Sequence, residues 1–135
     1  GLDPGYRRLF VDYLRDYARS EGKTVFLTSH IIQDMERLVD DCIIMDYGKI
    51  LIQKPISELL EKGRRYTFTV PEGYEFPESG DFHHPSVMRN TLETFSFLPP
   101  AETEEKLKSM SVPYTDLHSE QVNLEDAFIG LTGKY

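Results

Sequence analysis

The sequence predicts an α/β fold in its first part and a smaller α+β module in its second. Two continuous apolar runs, 24–28 and 42–46, alternate with stretches of helical spacing, as in a sheet flanked by helices. After Gly63 the pattern changes to short alternating runs interrupted by prolines. The net charge changes there too, from −2 over residues 1–63 to −6 over residues 64–135. We therefore expect one unit over 1–63 and another over 64–135.

The first unit begins with an amphipathic helix predicted over Pro4–Ser20, capped by the Asp3 carboxylate and ended by Gly22. Its apolar residues are expected to form one buried stripe, which comprises Tyr6, Leu9, Phe10, Tyr13, Leu14 and Tyr17. The apolar strands are expected to be buried in a parallel sheet. The further predicted elements are strand Thr24–Thr28, helix Ile31–Val39, strand Cys42–Asp46, turn Tyr47-Gly48, strand Lys49–Lys54, and a helix from a Ser57 cap through Lys62.

The second unit is expected to contain two or three antiparallel strands with one or two helices. A region rich in proline, glycine and acidic residues, Pro71–Pro85, is predicted to be a loop. The other predicted elements are strand Tyr66–Val70, an alternating strand over Val87–Leu98, helix Ala101–Met110, strand Pro113–Leu117 and helix Leu124–Leu131.

Composition excludes several classes of protein. A net charge of −8 argues against a nucleic-acid partner, whose binding surface would be basic. The single cysteine, Cys42, excludes an internal disulfide and suits a reducing compartment. No apolar run approaches the length that spans a bilayer, and no signal peptide is visible.

Two short motifs stand at the start of the chain, Gly1-Leu2-Asp3-Pro4 and Thr28-Ser29-His30. His30 follows the carboxyl end of the predicted strand, which is where ligands bind in open α/β sheets. With the stretch 24–49 and the ending Asn123–Phe128, these motifs resemble the ATP-binding cassette (ABC) transporter ATPases, and specifically the C-terminal part of an exporter-type ATP-binding subunit. The implied fold is the distal part of a P-loop NTPase parallel sheet, followed by a small α+β appendage.

The resemblance also implies roles for individual residues. Gly1, Leu2 and Asp3 match the D-loop, which faces the opposite subunit in a dimer that binds ATP between its halves. His30 matches the H-loop histidine, which contacts the γ-phosphate. The implied cofactors are ATP and Mg, and the implied partners are a second nucleotide-binding subunit and a separate transmembrane permease. Such a protein lies on the cytoplasmic face of the membrane and couples ATP hydrolysis to transport.

Three motifs of that family do not occur in the chain. The G-x-x-x-x-G-K-[ST] phosphate loop (Walker A), the Leu-Ser-Gly-Gly-Gln signature and the Walker B acidic pair are all missing from the sequence. We therefore expect the chain to be the C-terminal portion of a longer protein and to be inactive in ATP hydrolysis by itself. Central strands that have lost part of their sheet would leave open edges, so we also expect marginal stability or self-association.

One other functional interpretation of the chain remains open, and the others are weak. Residues Arg64–Tyr135 form an alternative candidate, a regulatory or dimerisation module without catalysis of its own. A self-contained hydrolase is disfavoured because no nucleophile motif is visible. No metal site is expected, because His83, His84 and His118 lack partners at metal-ligand spacing and suit solvated loops. Cys42 is expected to be a small buried hydrophobic residue rather than a nucleophile.

Overall fold

A computed structural model of the protein describes residues 4–22, 36 and 39–133 and has a mixed α/β fold, as the sequence predicts. The described helices are α1 (Pro4–Ser20), α2 (Ile56–Lys62), α3 (Pro100–Ser109) and α4 (Leu124–Thr132). The described strands are β1 (Asp41–Asp46), β2 (Lys49–Pro55), β3 (Arg64–Thr69), β4 (His83–Met88), β5 (Thr91–Ser96) and β6 (Thr115–Gln121). The predicted strand Thr24–Thr28 and most of the predicted helix Ile31–Val39 lie outside the described residues.

Strands β1 and β2 form a tight antiparallel hairpin. Asp46 pairs with Lys49 across the turn, and Ile44 pairs with Ile52 further down. The two turn residues, Tyr47 and Gly48, both have positive φ, 50° and 73°. Two-residue hairpin turns of the type I′ class need positive φ at both central positions, and glycine adopts it without steric cost. The predicted Tyr47-Gly48 turn is therefore confirmed.

The remaining described strands form an antiparallel sheet in the order β4-β5-β3-β6. Phe68 pairs with Leu92 across β3 and β5, and Arg65 pairs with Phe95. Because side chains alternate along a strand, Leu92 and Phe95, three residues apart, point to opposite faces of this sheet. Each face therefore has a buried aromatic or aliphatic residue that a helix can cover.

Each face of the sheet contributes to its own hydrophobic core. The α3 core lies on the Leu92 face and comprises Phe68, Val70, Phe82, Leu92, Leu107 and Val112. The joint core lies on the Phe95 face and combines residues of the hairpin, α2, β5 and α4, namely Ile44, Ile52, Ile56, Leu59, Phe95, Val122, Leu124, Ala127 and Leu131. The joint core therefore contains side chains from both sides of Gly63.

Helix α4 approaches the sheet unusually closely at Gly130. A Cβ atom placed on Gly130 would lie 2.7 Å from both Cβ and Cγ of Phe95. That separation is shorter than any normal carbon–carbon contact, so only glycine allows this approach. The short distance brings Ala127 and Leu131 of α4, both buried, into the joint core.

Helix α1 has the predicted bounds, but the prediction that its apolar stripe is buried is wrong. Leu9 and Tyr13 are each 67% exposed, whereas Val11, outside the predicted stripe, is buried. The other exposed members of the stripe are Tyr6, Phe10 and Tyr17. Helical spacing determines which side chains share a face, but not whether another element covers that face. We call these five exposed side chains the α1 stripe.

Strand β1 is present where the sequence predicts it, but it is not buried throughout. Ile44 is buried in the joint core, while Ile43 and Met45 on either side are exposed. Among the described residues, β1 pairs with β2 alone, and the joint core covers one face of that hairpin. The continuous apolar run led to the wrong prediction, because it does not distinguish one covered face from two.

Two further local predictions are wrong. The alternating run Val87–Leu98 is two strands, because the chain turns after Met88 at Arg89, which has φ of 58°. No glycine marks this turn, so the sequence pattern did not reveal it. The predicted cap Ser57 lies inside α2. Pro55 occupies the capping position without a side-chain hydrogen bond.

Replacing Gly130 by alanine should lower the free energy of unfolding by about 1–3 kcal/mol, because the added methyl overlaps Phe95. The better helix propensity of alanine, about 1 kcal/mol, offsets only part of this loss. Urea denaturation measures the change. Gly80→Ala is the matched control, since its Cβ would meet nothing within 4 Å. Equal stability of the two variants would contradict the close approach of α4.

The α1 stripe should make the isolated chain self-associate, because water-exposed apolar side chains at helical spacing favour pairing. The double variant Leu9→Glu/Tyr13→Lys places an i,i+4 ion pair on the stripe and should reduce association without unfolding α1. The control Arg8→Glu/Asp12→Lys carries the same net charge change on another part of the helix. Sedimentation velocity over a tenfold concentration range measures the association of the wild type and of both double variants. A wild-type chain that stays monomeric throughout would contradict the prediction.

Candidate functional site

The residues that the sequence singles out for chemistry lie outside the described part of the structure. Gly1, Leu2, Asp3 and His30 all fall within the ranges that are not described. The helix cap at Asp3 and the position of His30 at a strand end therefore stay predictions. The structure does describe Glu36, six residues after His30, and the segment that follows from Val39.

Glu36 lies at the amino end of helix α4. The backbone N–H of Leu124, the first residue of α4, donates a hydrogen bond to Glu36 Oε2 at 3.4 Å. The preceding residue, Asn123, caps the same helix, and its Oδ1 accepts from the N–H of Asp126 at 2.7 Å. The first N–H groups of a helix have no partner within it, so these two side chains satisfy two of them. The contact joins residues 88 positions apart in the chain.

The segment after Glu36 packs against the same helix. Val39 and Cys42 are partly buried against the joint core, to which α4 contributes Leu124, Ala127 and Leu131. Asp40 accepts a backbone hydrogen bond from Ile56 at 2.9 Å, which fixes the start of β1 to the start of α2. Glu36 is therefore attached to the C-terminal module by a polar contact, and Val39 and Cys42 are attached to it by apolar packing.

Cys42 behaves as the sequence predicts. Its side chain is half-buried against the joint core, and this burial raises the pKa of the thiol. A raised pKa lowers the fraction of thiolate, the form that acts as a nucleophile. Cys42 is therefore a packing residue.

An open groove of about 380 Å³ runs between the sheet and α4, beside Arg65. The Arg65 guanidinium donates a hydrogen bond to Glu120 and lies 3.5 Å from Glu93, so it links β3 to both neighbouring strands. The hydrogen bond to Glu120 raises the pKa of Arg65 further, and Asp126 adds a smaller contribution of the same sign. Because the Arg65 guanidinium is already paired with carboxylates, the groove suits a structural role better than anion binding.

His83 is not in a solvated loop, contrary to the prediction. It lies in β4, and the centroid of its ring is 6.1 Å from the ring centroids of both Phe95 and Phe97. Burial lowers the pKa of His83, the neighbouring His84 lowers it further, and Asp81 partly opposes them. His118 is exposed on β6. Within the described residues there is no group of three or more His, Cys, Asp or Glu side chains that would hold a metal ion.

Sequence reasoning missed the contact of Glu36 and the clustering around Arg65. Both depend on long-range pairing, which no local pattern reveals. The only available signal for Glu36 was its place in the motif stretch 24–49, and for α4 the Asn123 cap followed by acidic residues.

Two known relatives match nearly the whole chain, and a third matches less than half of it. The bacitracin transport ATP-binding protein BcrA of Enterococcus faecalis is 28% identical over 98% of this chain and 45% of its own length. The Nod factor export ATP-binding protein I of Cupriavidus metallidurans is 32% identical over 99% of this chain and 45% of its own length. The thiamine import ATP-binding protein ThiQ of a Jannaschia species is 35% identical over 42% of this chain and 25% of its own length.

The chain thus spans less than half of the length of the curated relatives that it matches. No protein-family model matches it. These relatives are named for different compounds, bacitracin, Nod factor and thiamine, but all of them are named as ATP-binding proteins. Among the described helices, none is both long enough and apolar enough to cross a membrane.

The half-buried position of His83 predicts a pH-dependent stability. Its folded-state pKa lies below the ordinary value of 6.5, so the unfolded chain binds the proton more readily. The stabilisation from neutral His83 is complete above pH 6.5 and is lost as the pH falls through the folded-state pKa. Urea denaturation at pH 7.5 and pH 5.5 should therefore show a smaller loss of stability for His83→Gln than for the wild type. The control His118→Gln, at an exposed site, should follow the wild type. An identical loss of stability between the two pH values in the wild type and both variants would contradict the partial burial of His83.

Proposed function

We propose that the chain, which belongs to the ATP-binding proteins of ABC transporters, acts as the C-terminal part of a subunit that couples ATP binding and hydrolysis to transport across a membrane. The observation that carries this proposal is the order of the two motifs, Gly1-Leu2-Asp3-Pro4 and then Thr28-Ser29-His30, in a chain whose relatives match it over 98% to 99% of its length.

In this proposal His30 is the residue that contacts the nucleotide. A histidine at the carboxyl end of a strand is placed to donate a hydrogen bond to a γ-phosphate oxygen, which stabilises the negative charge that moves during phosphoryl transfer. Gly1, Leu2 and Asp3 contact the opposite subunit of the dimer. ATP, with Mg, supplies the phosphoryl group and its charge neutralisation when it is bound in the intact subunit.

The chain by itself is proposed to be inactive in ATP hydrolysis. It contains no phosphate-binding loop and no Walker B acidic pair, which the reaction needs in this family. The α1 stripe supports a role within a larger protein or assembly. Five exposed apolar side chains on one helix are typical of a surface that another polypeptide segment covers.

The proposed partners are a second nucleotide-binding subunit and a separate membrane-spanning permease. The names of the relatives support these partners, since they describe transport, export or import. In this proposal the chain attaches to the cytoplasmic face of the membrane through the permease.

A division after Gly63 remains part of the proposal. The α3 core lies wholly within residues 68–112, which supports a separate accessory module over 64–135. The joint core, in contrast, ties that module to the hairpin and α2. The α3 core also gives some support to the alternative, a regulatory or dimerisation module without catalysis of its own.

Replacing His30 by alanine in the full-length ATP-binding subunit should lower kcat for ATP hydrolysis by roughly 100-fold or more, because a charge-stabilising donor is lost. Binding of ATP should persist, since other parts of the subunit hold the phosphates. His118→Ala is the control, at an exposed histidine of β6. Wild-type turnover by the His30 variant would contradict the proposed function, and so would ATP hydrolysis by residues 1–135 alone.

A further inference from the structure

Glu36 meets helix α4 at the one end where a carboxylate is favourable. The backbone dipoles of a helix give its amino end a partial positive charge, and its first N–H groups lack partners within the helix. Asn123 satisfies the N–H of Asp126, the third residue, and Glu36 satisfies that of Leu124, the first. Glu36 therefore completes the cap of α4 from a distant part of the chain.

The contact has consequences because α4 is well anchored in the C-terminal module. Leu124 and Ala127 are buried in the joint core, and Gly130 lies directly against Phe95 of the sheet. A displacement of Glu36 cannot be absorbed by a loose helix end. It would break the hydrogen bond or move α4 against Phe95.

Glu36 also stands close in sequence to the proposed nucleotide contact. It lies six positions after His30, and Val39 and Cys42, the next apolar residues that the structure describes, pack on the same core. Glu36, Val39 and Cys42 therefore all contact α4 or the core to which α4 contributes.

We infer that Glu36 is a positioning residue, which ties the chain six positions after His30 to helix α4 and so couples the nucleotide site of the proposed function to the C-terminal sheet module. This inference rests on the proposed function. Coupling of this kind is reciprocal, so a change in the position of α4 alters the placement of His30 as much as the reverse. The module over 64–135 thereby has a route by which it influences ATP hydrolysis.

Three substitutions separate the charge, the reach and the presence of the carboxylate. Glu36→Ala removes the acceptor, and Glu36→Asp keeps the charge but shortens the side chain by one methylene. Glu36→Gln keeps an oxygen at the same reach and loses the charge. The matched control is Glu58→Ala, which removes a carboxylate of α2 that pairs with Lys54 of β2 and Lys62 of α2.

In the full-length subunit, Glu36→Ala and Glu36→Asp should lower kcat for ATP hydrolysis by about 5- to 30-fold, within the usual range of coupling between sites. The KM for ATP should change less than twofold, because Glu36 does not touch the nucleotide. Glu36→Gln should restore most of the activity, and Glu58→Ala should match the wild type. A merely structural role would lower protein yield and stability without this split between kcat and KM.

Hydrogen exchange on residues 1–135 tests the contact separately. The amide of Leu124 should exchange faster in Glu36→Ala and Glu36→Asp, while amides of α3 on the opposite face stay unchanged. Unchanged exchange at Leu124 would overturn the contact, and faster exchange with wild-type kcat would overturn the positioning role. Full activity of the His30→Ala subunit would instead overturn the proposed function, whatever the exchange at Leu124.

Discussion

Helix α4 packs against α2 and the four-stranded sheet and shares one core with the β1–β2 hairpin, and the joining of these elements depends on this packing. Ala127 and Leu131 enter a core shared with Ile44 of the hairpin and Phe95 of the sheet. Full burial of one such leucine stabilises a fold by about 1.5–3 kcal/mol, and glycine at position 130 allows the helix to come close enough. Without α4, the two sheets would lose the core that they share.

This arrangement connects the two ends of the chain. Glu36 accepts a hydrogen bond from the first residue of α4, and Val39 and Cys42 pack on the core to which α4 contributes. These residues of the first unit therefore contact the appended module, which carries −6 of the net charge of −8. In our account that module is more than a passive extension, because it supports the segment on which hydrolysis depends.

Local sequence signals predicted most of the elements but few of their contacts. The helix over Pro4–Ser20 and the Tyr47-Gly48 turn followed from capping, periodicity and glycine chemistry, all of which act within a few residues. The exposure of Leu9 and the partial burial of His83 depend on what packs against them, which periodicity does not encode. The candidate site at His30 stays a prediction from motifs, and the capping role of Glu36 required a contact across 88 residues.

The central claim is that His30 belongs to an ATP site of which this chain supplies only a part. The most direct measurement is a structure of the full-length subunit with a non-hydrolysable ATP analogue and Mg. Our account predicts an imidazole nitrogen of His30 within about 3.2 Å of a γ-phosphate oxygen, at hydrogen-bond distance. A histidine ring that packs into the protein core, away from the bound nucleotide, would contradict it.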